Sequence, residues 1–310
     1  MEKLIVSTSP HLRSKTTTHT VMRDVLIALL PATVASFVLF GIKAALIVLI
    51  SVASAVLAEA LFNIICKRPQ TVGDLSAAVT GLLLALNVPA KTPLWQCVIG
   101  SVFAIIVVKC LFGGIGCNFA NPAITGRIFM LICFAEVGGG SFTNFADVTS
   151  GATPLAAIKA GETALPSVTD MLLGNRGGAI GETCAVALLL GFIYLVVRKV
   201  IHWETPVIFM GTVFVLSLII KQDVIAALYQ LLGGGLIIGA VFMATDYVTT
   251  PINRAGKCVF ALGCGIITVL IRFWGSYPEG VSFSILIMNI LSPYIEKWCA
   301  KKPLGGAKNV

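Results

Sequence analysis

Gly81 to Pro93 reads GLLLALNVPAKTP, and Gly239 to Pro251 reads GAVFMATDYVTTP. The glycine and the closing proline stand at the same separation in both stretches. At a constant offset Cys97, Phe112 and Gly114 are paralleled by Cys258, Phe273 and Gly275. Matching features at a fixed offset mark an internal repeat, although chance similarity between apolar runs of low complexity gives the same pattern. Which alternative holds decides the fold, because a repeated apolar unit and a single long apolar chain fill a membrane differently.

The surrounding composition leaves lipid as the only reasonable solvent. The chain is 57% hydrophobic and 12% charged, with a mean hydropathy of +0.96, whereas a soluble domain carries about 25% charged residues. Ten candidate spans follow one another at 24–41, 42–66, 74–89, 94–112, 122–135, 179–198, 204–220, 228–246, 257–275 and 282–298. Apolar runs near 20 residues cross a hydrocarbon layer of about 30 Å, and in lipid runs this uniform are helices. The predicted fold class is an all-α polytopic membrane protein of about ten transmembrane helices. Five spans per half invert the second half relative to the first, giving two inverted five-helix repeats. Spans five and ten carry Pro122 and Pro293, and interrupted segments in matching positions tend to line the functional site of such proteins.

The net charge of +8 must then be read by position. Alternate connections carry fifteen basic residues on one side, Lys109 among them, and six on the other, including Arg176 and Arg272; Arg127 stays unassigned. The positive-inside rule places both termini in the cytoplasm. The expected organisation is a cytoplasmic segment 1–23, a first repeat 24–135, an exterior loop 136–178, a second repeat 179–298 and a cytoplasmic tail 299–310. The first apolar run lacks a small-residue cleavage site and reads as a retained span. Basic residues confined to short connections argue against nucleic acid as a partner. The nine cysteines show no spacing suited to zinc, no metal site is expected, and most read as small buried hydrophobes.

The exterior loop holds DVTSGATPLAAIK at 147–159. Locally this is a helix start: Thr153 is a favoured cap, Pro154 suits the first helical position, and LAAIKA continues with strong helix formers. The expected threonine is exposed, and a phosphate on its hydroxyl would meet the positive field of a helix N-terminus.

Asp147, Ser150, Gly151, Ala152 and Thr153 together resemble the flavinylation motif of the Rnf D subunits and of the B subunit of the sodium-translocating NADH:quinone reductase. RDVLIALLPA near the first span, GGIGCNFANPA at 113–123, FMATDYVTTP at 242–251 and YPEGVSFSILIMN at 277–289 extend the resemblance along nearly the whole chain. One departure is Tyr247, where the family pattern has proline. About 22 residues precede the first span, which resembles Rnf D more than the quinone reductase subunit with its longer N-terminal extension.

The resemblance implies FMN joined through its phosphate to Thr153, with Asp147, Ser150, Gly151 and Ala152 as the attachment motif. It implies a flavin transferase for maturation, and leaves room for a second, non-covalent flavin such as riboflavin. It also implies the Rnf A, B, C, E and G subunits as partners, a place in the cytoplasmic membrane, and activity only within a complex that couples ferredoxin:NAD+ electron transfer to Na+ or H+ movement. No catalytic residue is expected, since Thr153 would be a tether. Ionisable residues in apolar spans are functional candidates by default; Glu59, Asp74, Lys109, Arg127, Asp223, Asp246 and Arg272 qualify, with Glu59 and Asp246 taken as the ion path. Asn118, Asn121, Tyr277 and Glu279 are weaker candidates for a flavin or ion environment, and the histidines are assigned nothing. The competing reading is a solute transporter or channel, since inverted repeats also build permeases; a structural anchor for other subunits is a third.

Overall fold

Thr17 opens the first membrane helix with a reciprocal cap: its hydroxyl accepts the Thr20 N–H at 3.3 Å while the Thr20 hydroxyl accepts the Thr17 N–H at 2.9 Å. Helix α1 (Thr18–Phe40) runs to Gly41, which sits at φ 67° and turns the chain directly into α2 (Ile42–Ile65). This computed structural model describes residues 16–134, 142–143, 150–151, 153–160, 166–174, 176–275, 277 and 279–300. The order continues with α3 (Ser76–Leu86), α4 (Leu94–Cys110), α5 (Pro122–Cys133), α6 (Pro154–Ala160), α7 (Val168–Leu173), α8 (Ala185–Val197), α9 (Glu204–Lys221), α10 (Val224–Leu232), α11 (Leu236–Met243), α12 (Arg254–Trp274) and α13 (Val281–Cys299). Phe142–Thr143 and Ser150–Gly151 form a two-residue antiparallel pair.

Helix α2 carries large apolar side chains outward and polar ones inward. On α2, Leu49, Leu57, Leu61 and Ile65 are exposed, whereas Ser51, Glu59 and Asn63 are buried. That pattern belongs to a bundle whose outer solvent is hydrocarbon. Among the described residues, four helices are long and apolar enough to cross a bilayer: α1, α2, α9 and α12. A fifth span is the pair α10 and α11, bent by 60°. The chain is an all-helical polytopic membrane protein, but not ten full-length helices.

Several expected spans are shorter or broken. The span at 74–89 is helical only over the 11 residues of α3, about 16 Å at 1.5 Å per residue. The span at 122–135 reduces to the 12 residues of α5, and that at 179–198 becomes helical only at Ala185. Pro122 begins α5 instead of disturbing it, and Pro293 lies inside a continuous 19-residue α13. The interruption in matching positions falls elsewhere. A 3-10 turn at Val72–Asp74 and Leu75 at φ 62° precede α3, while Gly233, Gly234 (φ 65°) and Gly235 (φ 64°) precede α11. Each break immediately precedes the helix that carries one copy of the repeated motif.

The non-helical segment 176–183 is buried and pairs with the end of α3: the Ile180 N–H donates to the Val88 carbonyl at 3.0 Å and Gly181 N–H to the Leu86 carbonyl at 2.7 Å. Irregular backbone at membrane depth survives only when protein satisfies its polar groups, and here the other half does so. Cys97, Cys110 and Cys264 are buried, but Cys66, Cys117 and Cys133 are exposed, so the small-hydrophobe reading holds for only part of the cysteines.

Candidate functional site

The buried charge gathers at the two breaks. At the first, α4 ends in a widened π-helical turn over Ala104–Cys110 that carries Lys109. Such wide turns shift the helix register and are frequent at functional positions. Lys109, counted with the cytoplasmic connections and also named among the ionisable residues of apolar spans, is buried, with Nζ 2.8 Å from Glu59 Oε1 and 2.7 Å from Ser76 Oγ. The Thr71 hydroxyl donates to the same Glu59 oxygen at 2.6 Å and accepts from the Asn63 amide at 3.1 Å. Glu59 Oε2 is buried without a hydrogen-bond partner. Thus Glu59 is anchored through one oxygen and free at the other.

A cleft of about 90 Å³ adjoins this pair, with Lys109, Ser76, Asn118, Asn121, Asp246 and Tyr247 in its lining. Asp246 is used locally: its carboxylate accepts the Val248 N–H and the Thr249 hydroxyl, each at 3.2 Å, closing the turn after α11. Burial, then the charges of Asp246 and Asp74, push the Tyr247 phenol above its ordinary value. Asn121 caps α5, accepting Ala123 N–H at 3.0 Å, and donates to the Met243 carbonyl at 3.3 Å in the other half. Asp223 caps α10 at the surface and Asp74 belongs to the 3-10 turn; neither joins a buried ion pair among the described residues.

At the second break, three arginines converge. Arg272 donates to the carbonyls of Gln230, Gly233 and Gly234. Arg176 donates to the Leu232 and Glu182 carbonyls, each at 2.8 Å. Helix C-termini leave carbonyls unsatisfied, and two guanidinium groups take up those of α10. Arg127 pairs with Glu279 and also donates to Asn87 Oδ1 and Ser282 Oγ, each at 3.1 Å. Glu182 is buried beside them, with Oε2 unpartnered. Arg176, expected in an exterior connection, and Arg272, counted there but also named among the ionisable residues of apolar spans, therefore carry structural charge within the fold; the remaining asymmetry of basic residues keeps its sign.

Thr153, in the loop expected on the exterior, is followed by Leu155, which packs against the glycines of this second break. Thr153 caps α6, its hydroxyl accepting Ala156 N–H at 3.2 Å, as the local reading predicts. It is 3% exposed, which corrects the expectation of a displayed threonine. Ser150 and Gly151 pair in register with Thr143 and Phe142; Asp147 and Ala152 lie outside the described residues. Helix α6 is fixed by Lys159, whose Nζ donates to the Gly275 and Tyr277 carbonyls, and Tyr277 stacks on Phe283.

Sequence reasoning gives no site role to Glu182, Arg176, Asn87 or the glycine triplet. The triplet is legible as a helix break; Glu182 is not, because NRGGAIGET reads as the polar edge of a span.

Buried ion pairs at two broken helices, wrapped in lipid-facing apolar surface, define an integral membrane protein with charge handling at its centre. The chain belongs to the NQR2, RnfD, RnfE family, whose profile matches residues 5–305. Similar proteins include the D subunit of the Na(+)-translocating ferredoxin:NAD(+) oxidoreductase complex of Acetobacterium woodii, 44% identical over 98% of this chain and 96% of the relative. Another is the D subunit of the proton-translocating ferredoxin:NAD(+) oxidoreductase complex of Clostridium ljungdahlii, 38% identical over 94% of this chain and 93% of the relative. A third is the D subunit of an ion-translocating oxidoreductase complex of Stutzerimonas stutzeri, 37% identical over 92% and 91%.

Proposed function

We propose that this chain is the D-type membrane subunit of an Rnf complex, coupling electron transfer between ferredoxin and NAD+ to Na+ or H+ translocation, with FMN tethered to Thr153 as an electron carrier. The observation that carries the cofactor reading is the seating of Thr153: a capping hydroxyl on a short loop helix docked against a broken membrane helix. A hydroxyl two places after Gly151 suits a phosphoryl tether, and a tethered flavin supplies one- and two-electron chemistry while the protein fixes its place. No base accepts from the Thr153 hydroxyl among the described residues, in keeping with attachment by a separate transferase. Burial of Thr153 means that the transferase must act on a loop conformation with this residue uncovered.

The energetics allow coupling. A two-electron drop of ~100 mV releases about 4.6 kcal/mol, and moving one charge against ~150 mV costs about 3.5 kcal/mol. Within this reading Glu59, with one oxygen unpartnered, and Asp246, across the cleft, belong to the ion path. The cleft itself, apolar on Val21, Val25 and Val79 and polar at Asn118 and Asn121, is the place assigned to a second, non-covalent flavin such as riboflavin, which would have to open it well beyond its present size, since such ligands occupy pockets of about 300 Å³ or more. The Rnf A, B, C, E and G subunits are the proposed partners, and the loop 136–178 is assigned to the exterior by the charge count. A permease reading explains the cleft but gives the Thr153 loop nothing to do.

The test is the intact mass and in-gel ultraviolet fluorescence of the denatured chain, coexpressed with a flavin transferase. The expected result is an FMN mass increment with fluorescence in wild type and neither in Thr153→Ala. A wild-type chain of unmodified mass would refute the cofactor assignment.

A further inference from the structure

The three glycines between α10 and α11 each face a different set of neighbours. A Cβ at Gly233 would stand 2.9 Å from Leu155 Cγ. At Gly234 it would stand 2.4 Å from Leu155 Cδ1 and 2.8 Å from Arg272 Nη2. At Gly235 it would stand 3.0 Å from Glu182 Oε2 and 3.5 Å from Arg127 Nη1. Leu155, buried and two places after Thr153, is therefore seated on one side of the break, and the Glu182 carboxylate and Arg127 guanidinium on the other. Only three residues of backbone without side chains separate them.

A second contact closes the circuit. Lys159, on the same short helix, donates to the carbonyls of Gly275 and Tyr277. Glu279, the ion-pair partner of Arg127, follows on the same connection. So α6 touches both the break and the turn that leads to Glu279. Side chains packed this closely displace one another rather than compress, and shifts at such contacts become changes of arrangement when the element between them has two packings.

We propose that Leu155 and Lys159 are positioning residues that tie the carrier on Thr153 to the Arg127, Glu182 and Glu279 cluster and, through α5, which joins Arg127 to the cleft residue Asn121, to the ion path at Glu59 and Asp246, so that electron arrival and ion movement are linked through the glycine triplet. The inference rests on the reading that Thr153 carries the flavin. Linkage of two sites requires that the connecting element bias both, and Leu155 is the side chain that reaches the break from the loop.

The test uses the whole complex in proteoliposomes, measuring ions moved per electron, uncoupled electron flow, and FMN on the D-type chain by mass. Leu155→Ala is expected to lower the ion-to-electron ratio at least twofold while uncoupled flow stays within twofold of wild type. Leu155→Met, which keeps the volume, is expected to restore the ratio. Lys159→Ala, at an exposed position that does not threaten folding, is expected to lower the ratio by a smaller factor. An unchanged ratio in Leu155→Ala and Lys159→Ala overturns the link. Equal loss of flavin or flow in Leu155→Ala and Leu155→Met also overturns it, showing a purely structural role. A wild-type chain without FMN instead removes the reading beneath it, and the link with it.

Discussion

The two breaks occupy equivalent positions in the repeated sequence yet hold charge in opposite ways. At the first, before α3, a single carboxylate and a single ammonium meet: Glu59 with Lys109, supported by Thr71 and Ser76. At the second, before α11, three guanidinium groups face two carboxylates, and half of the guanidinium hydrogen bonds, all from Arg176 and Arg272, end on backbone carbonyls. The difference follows from the helices that enter the breaks. A full α-helical arm, α10, points its C-terminal carbonyls into the second break and needs cationic donors there. Only a 3-10 turn enters the first, so its lysine is left for a carboxylate. One architecture thus yields a neutral pair near a cleft and a carbonyl-capping cluster near the loop.

Removing one partner from the first break should have the largest effect. Lys109→Met leaves a buried carboxylate uncompensated, at a cost of about 3–5 kcal/mol, while Lys109→Met with Glu59→Gln should recover most of it; thermal unfolding in detergent reports both. If the single substitution costs no more than a surface change, the pair is not buried in the working protein. Next comes Arg272→Met, which strips donors from the carbonyls of Gln230 and Gly233 and should cost roughly 2–4 kcal/mol in the same assay. An effect as small as that of a peripheral pair would deny the capping role and erase the contrast between the breaks.

Gly234→Ala should follow, at about 1–3 kcal/mol, because the residue sits at φ 65° with Leu155 in its side-chain space. Leu155→Ala in the same chain should relieve part of that loss, and strict additivity would show that the two do not touch. The smallest effect is expected for Arg198→Ala. That side chain is 50% exposed where it meets Asp24 at 3.1 Å, and pairs of this kind contribute about 1 kcal/mol or less.

Lipid solvation, the helical class and the helix cap at Thr153 are legible, because each depends on local composition or on residues adjacent in the chain; Pro122, taken for an interruption, instead starts α5 behind an Asn121 cap. Helix lengths were not. An apolar run over 179–198 cannot distinguish a helix from buried irregular backbone when the distinguishing partners, Leu86 and Val88, lie in the other half. The charges were only partly legible. Lys109 and Arg272 read both as connection residues and as ionisable groups in apolar spans, and tertiary contact decides for the second; Arg176 reads only as a connection residue, yet is buried. Thr153 was placed correctly at a helix start and misjudged as exposed, since burial there depends on how the loop docks.

The amide of Asn121 has a consequence for biogenesis. It donates to the carbonyl of Met243, and Gly181 donates to Leu86, so polar groups of the early repeat find their partners only after the late repeat has left the ribosome. Translation alone therefore cannot finish the amino-terminal half. An expressed fragment ending near residue 135 would leave these groups without their partners and should be cleared by membrane proteases rather than accumulate.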